Sequence, residues 1–350
     1  MSYLDSKRIV GTNTQRVGIP AISGGWKEIG RTTLGSASND ISVSSLADKR
    51  YYMILHSHLD NGTSMRIGNR VNNDSGTNYA ERRSANGGSD NTNTSATEIN
   101  ITDAVNTAEN WLGVNYIANK SDKEKLQISN YVGENTAGAG NAPKRTEVVS
   151  KFTNTSDAIN RWDSVRISGT GQADSGSEVV VLGYDPDDTH TTNFWEELAS
   201  VDWSSGGSIS SGTISAKKYL WVQAYSKNDA TNGQAVIKFN SDGGTNYADR
   251  YSYNGGADAT NTSNVHGLLD STGSANDLVF YNMFILNNSA NEKLIINHSV
   301  NIGGTGAGNA PYRTKNVFKW TNTSSQITDI EFKRHAGNMT AGILKVWGSD

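Results

Sequence analysis

The chain is a tandem duplication: residues 49–159 match residues 217–327 at a constant offset of 168. Self-similarity of this kind means that whatever fold one half adopts, the other adopts too. The segment NNDSGTNYAERRSANGGSDNTNTS (72–95) lies over NSDGGTNYADRYSYNGGADATNTS (240–263) with 17 identities in 24 positions. The segment GAGNAPKRTEVVSKFTNTSDAI (138–159) lies over GAGNAPYRTKNVFKWTNTSSQI (306–327) with 15 in 22. The opening segments at Trp26 and Trp195 pair after a one-residue shift, and the closing runs after Val179 and Ile343 also correspond. The matches divide the chain into an N-terminal arm (1–24), a first copy (25–186) and a second copy (187–350). Each copy has the size of an ordinary domain. The acidic connector around Pro186 suits a turn between packed domains, because proline cannot donate to a sheet.

Within each copy the periodicity is that of strands. Short runs rich in β-branched and aromatic residues begin at Tyr51, Trp111, Lys125, Arg161 and Glu178. Turn sequences separate them, such as Asp60-Asn-Gly, Asp74-Ser-Gly and Asn86-Gly-Gly. No window of ten or more residues carries helical spacing. An all-β fold follows: two tandem jelly-roll-like antiparallel β-sandwiches of about eight strands each.

Composition narrows the function. Hydrophobic residues are 35% and charged residues 19%, yet Trp 8, Tyr 14 and Phe 7 supply bulk for cores under a polar surface of Asn, Ser, Thr and Gly. Cys 0 removes disulfides, thiolate metal sites and a cysteine nucleophile. A net charge of -4 gives no basic field for nucleic acid. No run approaches the roughly 20 apolar residues of a membrane helix, and the first residues lack a signal peptide's apolar core.

Candidate sites are few. The loops around Asp74 and Asp242 set a carboxylate and amide oxygens about a glycine turn, which calcium accepts. The competing reading is an Asx turn, favoured because one carboxylate per loop is little charge for an ion. His56 and His58 alternate onto one strand face as metal ligands can, but Ala224 and Ser226 replace them in the second copy. No nucleophile elbow, phosphate loop or zinc helix motif occurs, and Glu196 and Glu197 face opposite sides of a strand, so no enzyme is expected. Tyr79 and Tyr247, with Arg82 and Arg250, are candidate interface or glycan contacts, as sugar sites combine aromatic faces with polar groups, but the GTNYA motif runs straight into a strand, which makes core or interface the competing reading for the two tyrosines. Trp111, Trp203 and Trp221 are further aromatic candidates. The repeated loop ending in Arg145 and Arg313 is read as a glycine-shaped element that positions an arginine for a salt bridge or a neighbour.

The Ser6-Lys-Arg-Ile-Val-Gly-Thr arm, the WKEIGRTTLG opening, the NDSGTNYA block and the TAGAGNAP loop resemble tandem-repeat proteins of viruses that infect marine prokaryotes. The resemblance implies a virion structural component, a capsid shell or decoration protein or a tail or fibre appendage, assembled in the host cytoplasm. Its partners would be copies of itself, as a trimer or larger, and other virion proteins. Two tandem jelly rolls also resemble major capsid proteins in which two sandwiches stand side by side and three chains form a pseudo-hexagonal capsomer. The alternative class is a lectin-like module for host surface glycans.

The arm carries Lys7, Arg8 and Arg16 among Ile9, Val10, Val17 and Ile19 and has no counterpart in the second copy. This mixture suits docking onto an adjacent subunit. Deleting residues 1–24 is therefore expected to weaken assembly, read by light scattering, while both sandwiches keep their unfolding transitions. Unchanged assembly would remove the arm from the interface.

Overall fold

The computed structural model describes residues 25–350 apart from 63, 103–108, 187, 189–191, 205, 230–232 and 271–275. The N-terminal arm of the sequence analysis lies outside the described residues. Each copy is a two-sheet sandwich, all strand pairs are antiparallel, and no helix occurs among the described residues.

In the first copy the large sheet runs β1 (Lys27–Thr33), β12 (Glu178–Tyr184), β3 (Tyr51–His58), β8 (Trp111–Ala118), β9 (Lys125–Gly133), β10 (Lys144–Phe152), β5 (Tyr79–Ala85) and β6 (Asn91–Ala96). The small sheet runs β2 (Asp40–Val43), β11 (Trp162–Gly169), β4 (Met65–Val71) and β7 (Ile99–Asn100). Successive strands cross between the sheets in the Greek-key manner of a jelly roll. Twelve strands replace the expected eight, because β8, β9 and β10 form a meander where a jelly roll has one strand and β1 and β12 extend the large sheet.

The second copy repeats this order strand for strand. Its large sheet runs β13 (Glu196–Trp203), β24 (Met339–Ser349), β15 (Tyr219–Asn228), β20 (Leu278–Leu286), β21 (Lys293–Asn301), β22 (Tyr312–Trp320), β17 (Tyr247–Tyr253) and β18 (Ala259–Asn264). Its small sheet runs β14 (Ser208–Ser210), β23 (Ile330–Arg334), β16 (Ala235–Phe239) and β19 (Gly267–Asp270). The duplication reaches the backbone: Asn72 and Asn240, Asn86 and Asn254, and Ser95 and Ser263 all hold positive φ near +50°. Asn tolerates this left-handed region because its short polar side chain bonds locally.

Side-chain alternation gives each large sheet two buried faces. The inner face packs on the small sheet; in the first copy Tyr52, Ile54, Val179 and Val181 meet Ile41, Val43, Ile67 and Trp162. The outer face packs on the other copy's large sheet through Met53, Leu55, Leu112 and Val132 on one side and Phe284, Leu286, Leu294 and Ile296 on the other. The molecule is thus four layers, small, large, large, small. Strands apolar on both faces, such as Val179 to Leu182, are the ones that sit between two layers.

The inner space also holds polar groups. Gln127 Nε2 donates to Asn115 Oδ1 at 3.1 Å and Asn69 Nδ2 donates to the Tyr131 hydroxyl at 3.1 Å. His56 and His58, on neighbouring pleats of β3, are buried with their Nε2 atoms unpartnered. His56 makes edge contacts with Tyr131 and Trp162. Burial disfavours the imidazolium and lowers His56 to about 3, with His58 adding repulsion, and burial lowers His58 to about 4. A folded value below the unfolded one means that no penalty exists above the unfolded value near 6.5. Stability is lost as pH falls from there toward the folded values, since the unfolded chain takes up the protons. Replacing His56 with Ala and His58 with Ser, as at the matched positions 224 and 226, should remove this term. Between pH 6.5 and 5 the variant should gain on the parent by on the order of 2 kcal/mol per histidine in urea unfolding. A difference independent of pH would mean that the imidazoles are not held neutral.

Candidate interaction surface

The sequence candidates separate into core and surface. Tyr79 and Tyr247, read from the sequence as candidate interface or glycan contacts with the core as the alternative, are core residues: both are fully buried, and their hydroxyls accept from the backbone amides of Val71 at 3.1 Å and Phe239 at 2.9 Å. The GTNYA turn feeds directly into β5 and β17, so the pleat sends each ring inward. Trp111 is likewise buried, while Trp203 and Trp221 are half-buried.

Asp74 and Asp242 are turn residues. Asp74 accepts from the Gly76 amide at 2.7 Å and from Asn78 Nδ2 at 2.8 Å, and Asp242 accepts from Gly244 and Asn246, each at 2.8 Å. The Trp320 indole adds a third bond to Asp242 at 2.7 Å, which Phe152 cannot supply in the first copy. Burial alone would raise the Asp242 carboxyl, but these donors hold it below the usual range. Among the described residues no group of three or more His, Cys, Asp or Glu is arranged to hold a metal ion.

The arginines and the repeated loop meet at the contact between the copies. Gly138 takes a φ of +91°, a left-handed value that favours glycine, and turns the loop toward the second copy. Its amide donates to Glu292 Oε1 at 2.5 Å, and the Ala139 carbonyl accepts from the Ser263 amide at 2.7 Å. Lys319, wholly buried, donates to the carbonyls of Glu134 at 3.1 Å and Thr136 at 2.7 Å while pairing with Glu292 at 3.0 Å. Arg250 Nε donates to the Pro143 carbonyl at 2.7 Å. Arg145 pairs with Asp258, whose other oxygen lies 3.9 Å from Arg250. Lys315 reaches Glu147 at 2.9 Å, and the Tyr219 hydroxyl donates to Glu178 at 2.9 Å. Burial would raise the Glu178 carboxyl, but Thr33, Lys218, Arg31 and Tyr219 hold it below its ordinary value.

The contact uses each large sheet unequally. In the second copy Leu294, Ile296 and Val317 are at most 4% exposed. Their counterparts in the first copy, Leu126, Ile128 and Val149, are 58%, 59% and 50% exposed. The reverse holds at the other end of the sheets: Leu112 and Val132 are buried, while Phe280 and Val300 are exposed. Arg145 is buried and Arg313 exposed. Beside the contact a crevice of about 410 Å³ is lined by Arg82, Asp90, Tyr116, Asn130, Glu147, His298 and Lys315. The unequal use of matched positions was invisible in sequence, since the two copies carry the same apolar residue types there. The signal that was present is the apolar face of β9, which alternates with Lys125, Gln127 and Ser129 on the sandwich side.

No family model matches this sequence, and no curated protein matches it. Among solved structures, neisserial surface protein A aligns at 8% identity over 82% of this chain and 99% of its own, with a TM-score of 0.10. OpdQ of Pseudomonas aeruginosa aligns at 6% identity over 85% of this chain and 98% of its own, with a TM-score of 0.11. Likeness at this level carries no argument about fold or role.

Matched lysines give a direct measure of the contact. Lys319→Met leaves Glu292 buried without its cation and is expected to cost about 3–5 kcal/mol. Lys151→Met, at the matched half-exposed position paired with Glu124 at 2.9 Å, should cost under about 1 kcal/mol. Urea unfolding of the two variants checks this, and equal losses would contradict the asymmetric contact.

Proposed function

We propose that the chain is a structural subunit of a virion, in the shell, its decoration or an appendage, and that it associates with copies of itself and with other virion proteins. The observation that carries the reading is the apolar face of Leu126, Ile128 and Val149, left open where the matched face of the second copy is covered. A contiguous exposed apolar patch on a β-sheet is a mark of association. The virion setting rests on the resemblance of the repeat motifs, and the role is one of assembly, with no catalytic step assigned. The four-layer packing supports it, since a pair of sandwiches locked face to face is a stiff building unit.

A second reading is favoured by the crevice beside Arg82, Asp90, Tyr116 and Asn130, whose charged, amide and aromatic groups suit a sugar. Host surface glycan would be its ligand, with or without assembly.

Light scattering after size exclusion over a concentration series, with electron microscopy of the same fractions, separates the two. Assembly predicts mass that rises with concentration into trimers or larger regular particles. A strict monomer at high concentration would overturn it, and binding on a glycan array would then establish the second reading.

A further inference from the structure

The contact between the two copies is heterologous: one end of the first large sheet covers the opposite end of the second. Both surfaces of that contact therefore exist twice in the chain. One of each is used internally, and one of each is left open.

The open pair keeps the chemistry of the closed pair. Arg145 bonds Asp258 inside the chain; their counterparts are Arg313, which forms no ion pair among the described residues, and Asp90, which is half-exposed. Arg250 donates to the Pro143 carbonyl; the counterparts are Arg82 and an exposed Pro311. Glu292 and Lys319 hold the backbone of the loop at 134–138; the counterparts Glu124 and Lys151 are half-exposed, and the matching loop at 302–306 repeats Gly138 as Gly306 with the same left-handed backbone. The Ser263 amide bonds the Ala139 carbonyl; Ser95 and Ala307 are exposed and identical in type. The apolar residues match as well, since Leu126, Ile128 and Val149 stand where Leu294, Ile296 and Val317 are covered.

We propose that a second copy of this chain docks on the open face of the first sandwich by repeating the internal contact between molecules. Phe280 and Val300 of one chain's second sandwich then pack on Leu126, Ile128 and Val149 of the next chain's first sandwich, as Leu112 and Val132 share a core with Leu294, Ile296 and Val317 within the chain, and the loop 302–311 lies beside Glu124 and Lys151. Arg313 meets Asp90, and Arg82 meets the Pro311 carbonyl. A heterologous contact leaves the same two surfaces open at the ends of every complex, so association continues until the rotation between chains closes a ring or, without closure, builds a filament. This inference rests on the self-assembly reading and specifies the surface that reading uses.

The chain has no cysteine, so introduced thiols report only the designed pair. Ser95→Cys with Ala307→Cys, oxidised in the full chain, is expected to give a ladder of covalent dimers and higher multimers on a non-reducing gel. Ala139→Cys with Ser263→Cys, the matched internal pair, should close within one chain and stay at monomer mass, which establishes that the spacing permits a disulfide. Arg313→Glu should raise the dissociation constant of the complex about tenfold or more by opposing Asp90, and Asp90→Arg added to it should restore association. A chain that assembles but gives no ladder and ignores Arg313→Glu would overturn this interface and leave the self-assembly reading standing. A chain that remains monomeric would overturn both.

Discussion

The structure depends on one apolar contact, the face-to-face packing of two large sheets. Each sandwich has its own interior, but Met53, Leu55, Val180 and Leu182 are buried only because the second copy covers them. Removing such side chains from water contributes roughly 1.5–3 kcal/mol each. The polar groups around this contact do a different task. Arg145, Lys319 and Glu178 are buried with partners drawn from both copies, so a sheet shifted by one strand or one pleat would strand their charges. Apolar area supplies the attraction and the buried charges fix the register.

On β9 the inner and outer faces exchange the roles usual in a sandwich. The side chains this strand turns toward the sandwich interior are Lys125, Gln127, Ser129 and Tyr131, of which the last three form a hydrogen-bond network with Asn115 and Asn69 while Lys125 donates to the Asn154 carbonyl. The side chains turned outward are Leu126, Ile128 and Val132. Because the pleat has a period of two, a polar network in the interior places the strand's aliphatic residues outside. Buried amides tolerate this when they bond one another, and the apolar outer face then needs a cover.

Much of this was legible in the sequence. The duplication, the all-β class and the strand-and-turn rhythm follow from repeats, β-branched runs and Asn-Gly turns. The strand count was not, because β8, β9 and β10 form a meander that no single-strand motif announces. For Tyr79 and Tyr247 residue type left core, interface and glycan contact open, and the strand that follows the turn sends both rings inward. Arg145 was read as an arginine positioned by its loop and Arg250 as an interface or glycan contact, but their partners Asp258 and the Pro143 carbonyl lie more than 100 residues away, and only tertiary structure brings them together. The asymmetry between Leu126 and Leu294 could not be read at all, since identical residues take their exposure from what stands opposite.

The short connector between β12 and β13 has a kinetic consequence. It holds the two copies at a high effective concentration, in the millimolar range for a short tether. The internal contact therefore forms in the first encounter after each sandwich folds, long before a separate molecule at ordinary concentration arrives. One duplicated surface is spent within the chain at once, and in the proposed assembly the other waits on mass action. In that assembly a gene duplication divides a single kind of contact into a permanent half and a concentration-gated half, without requiring the apolar residues of the two surfaces to differ in type.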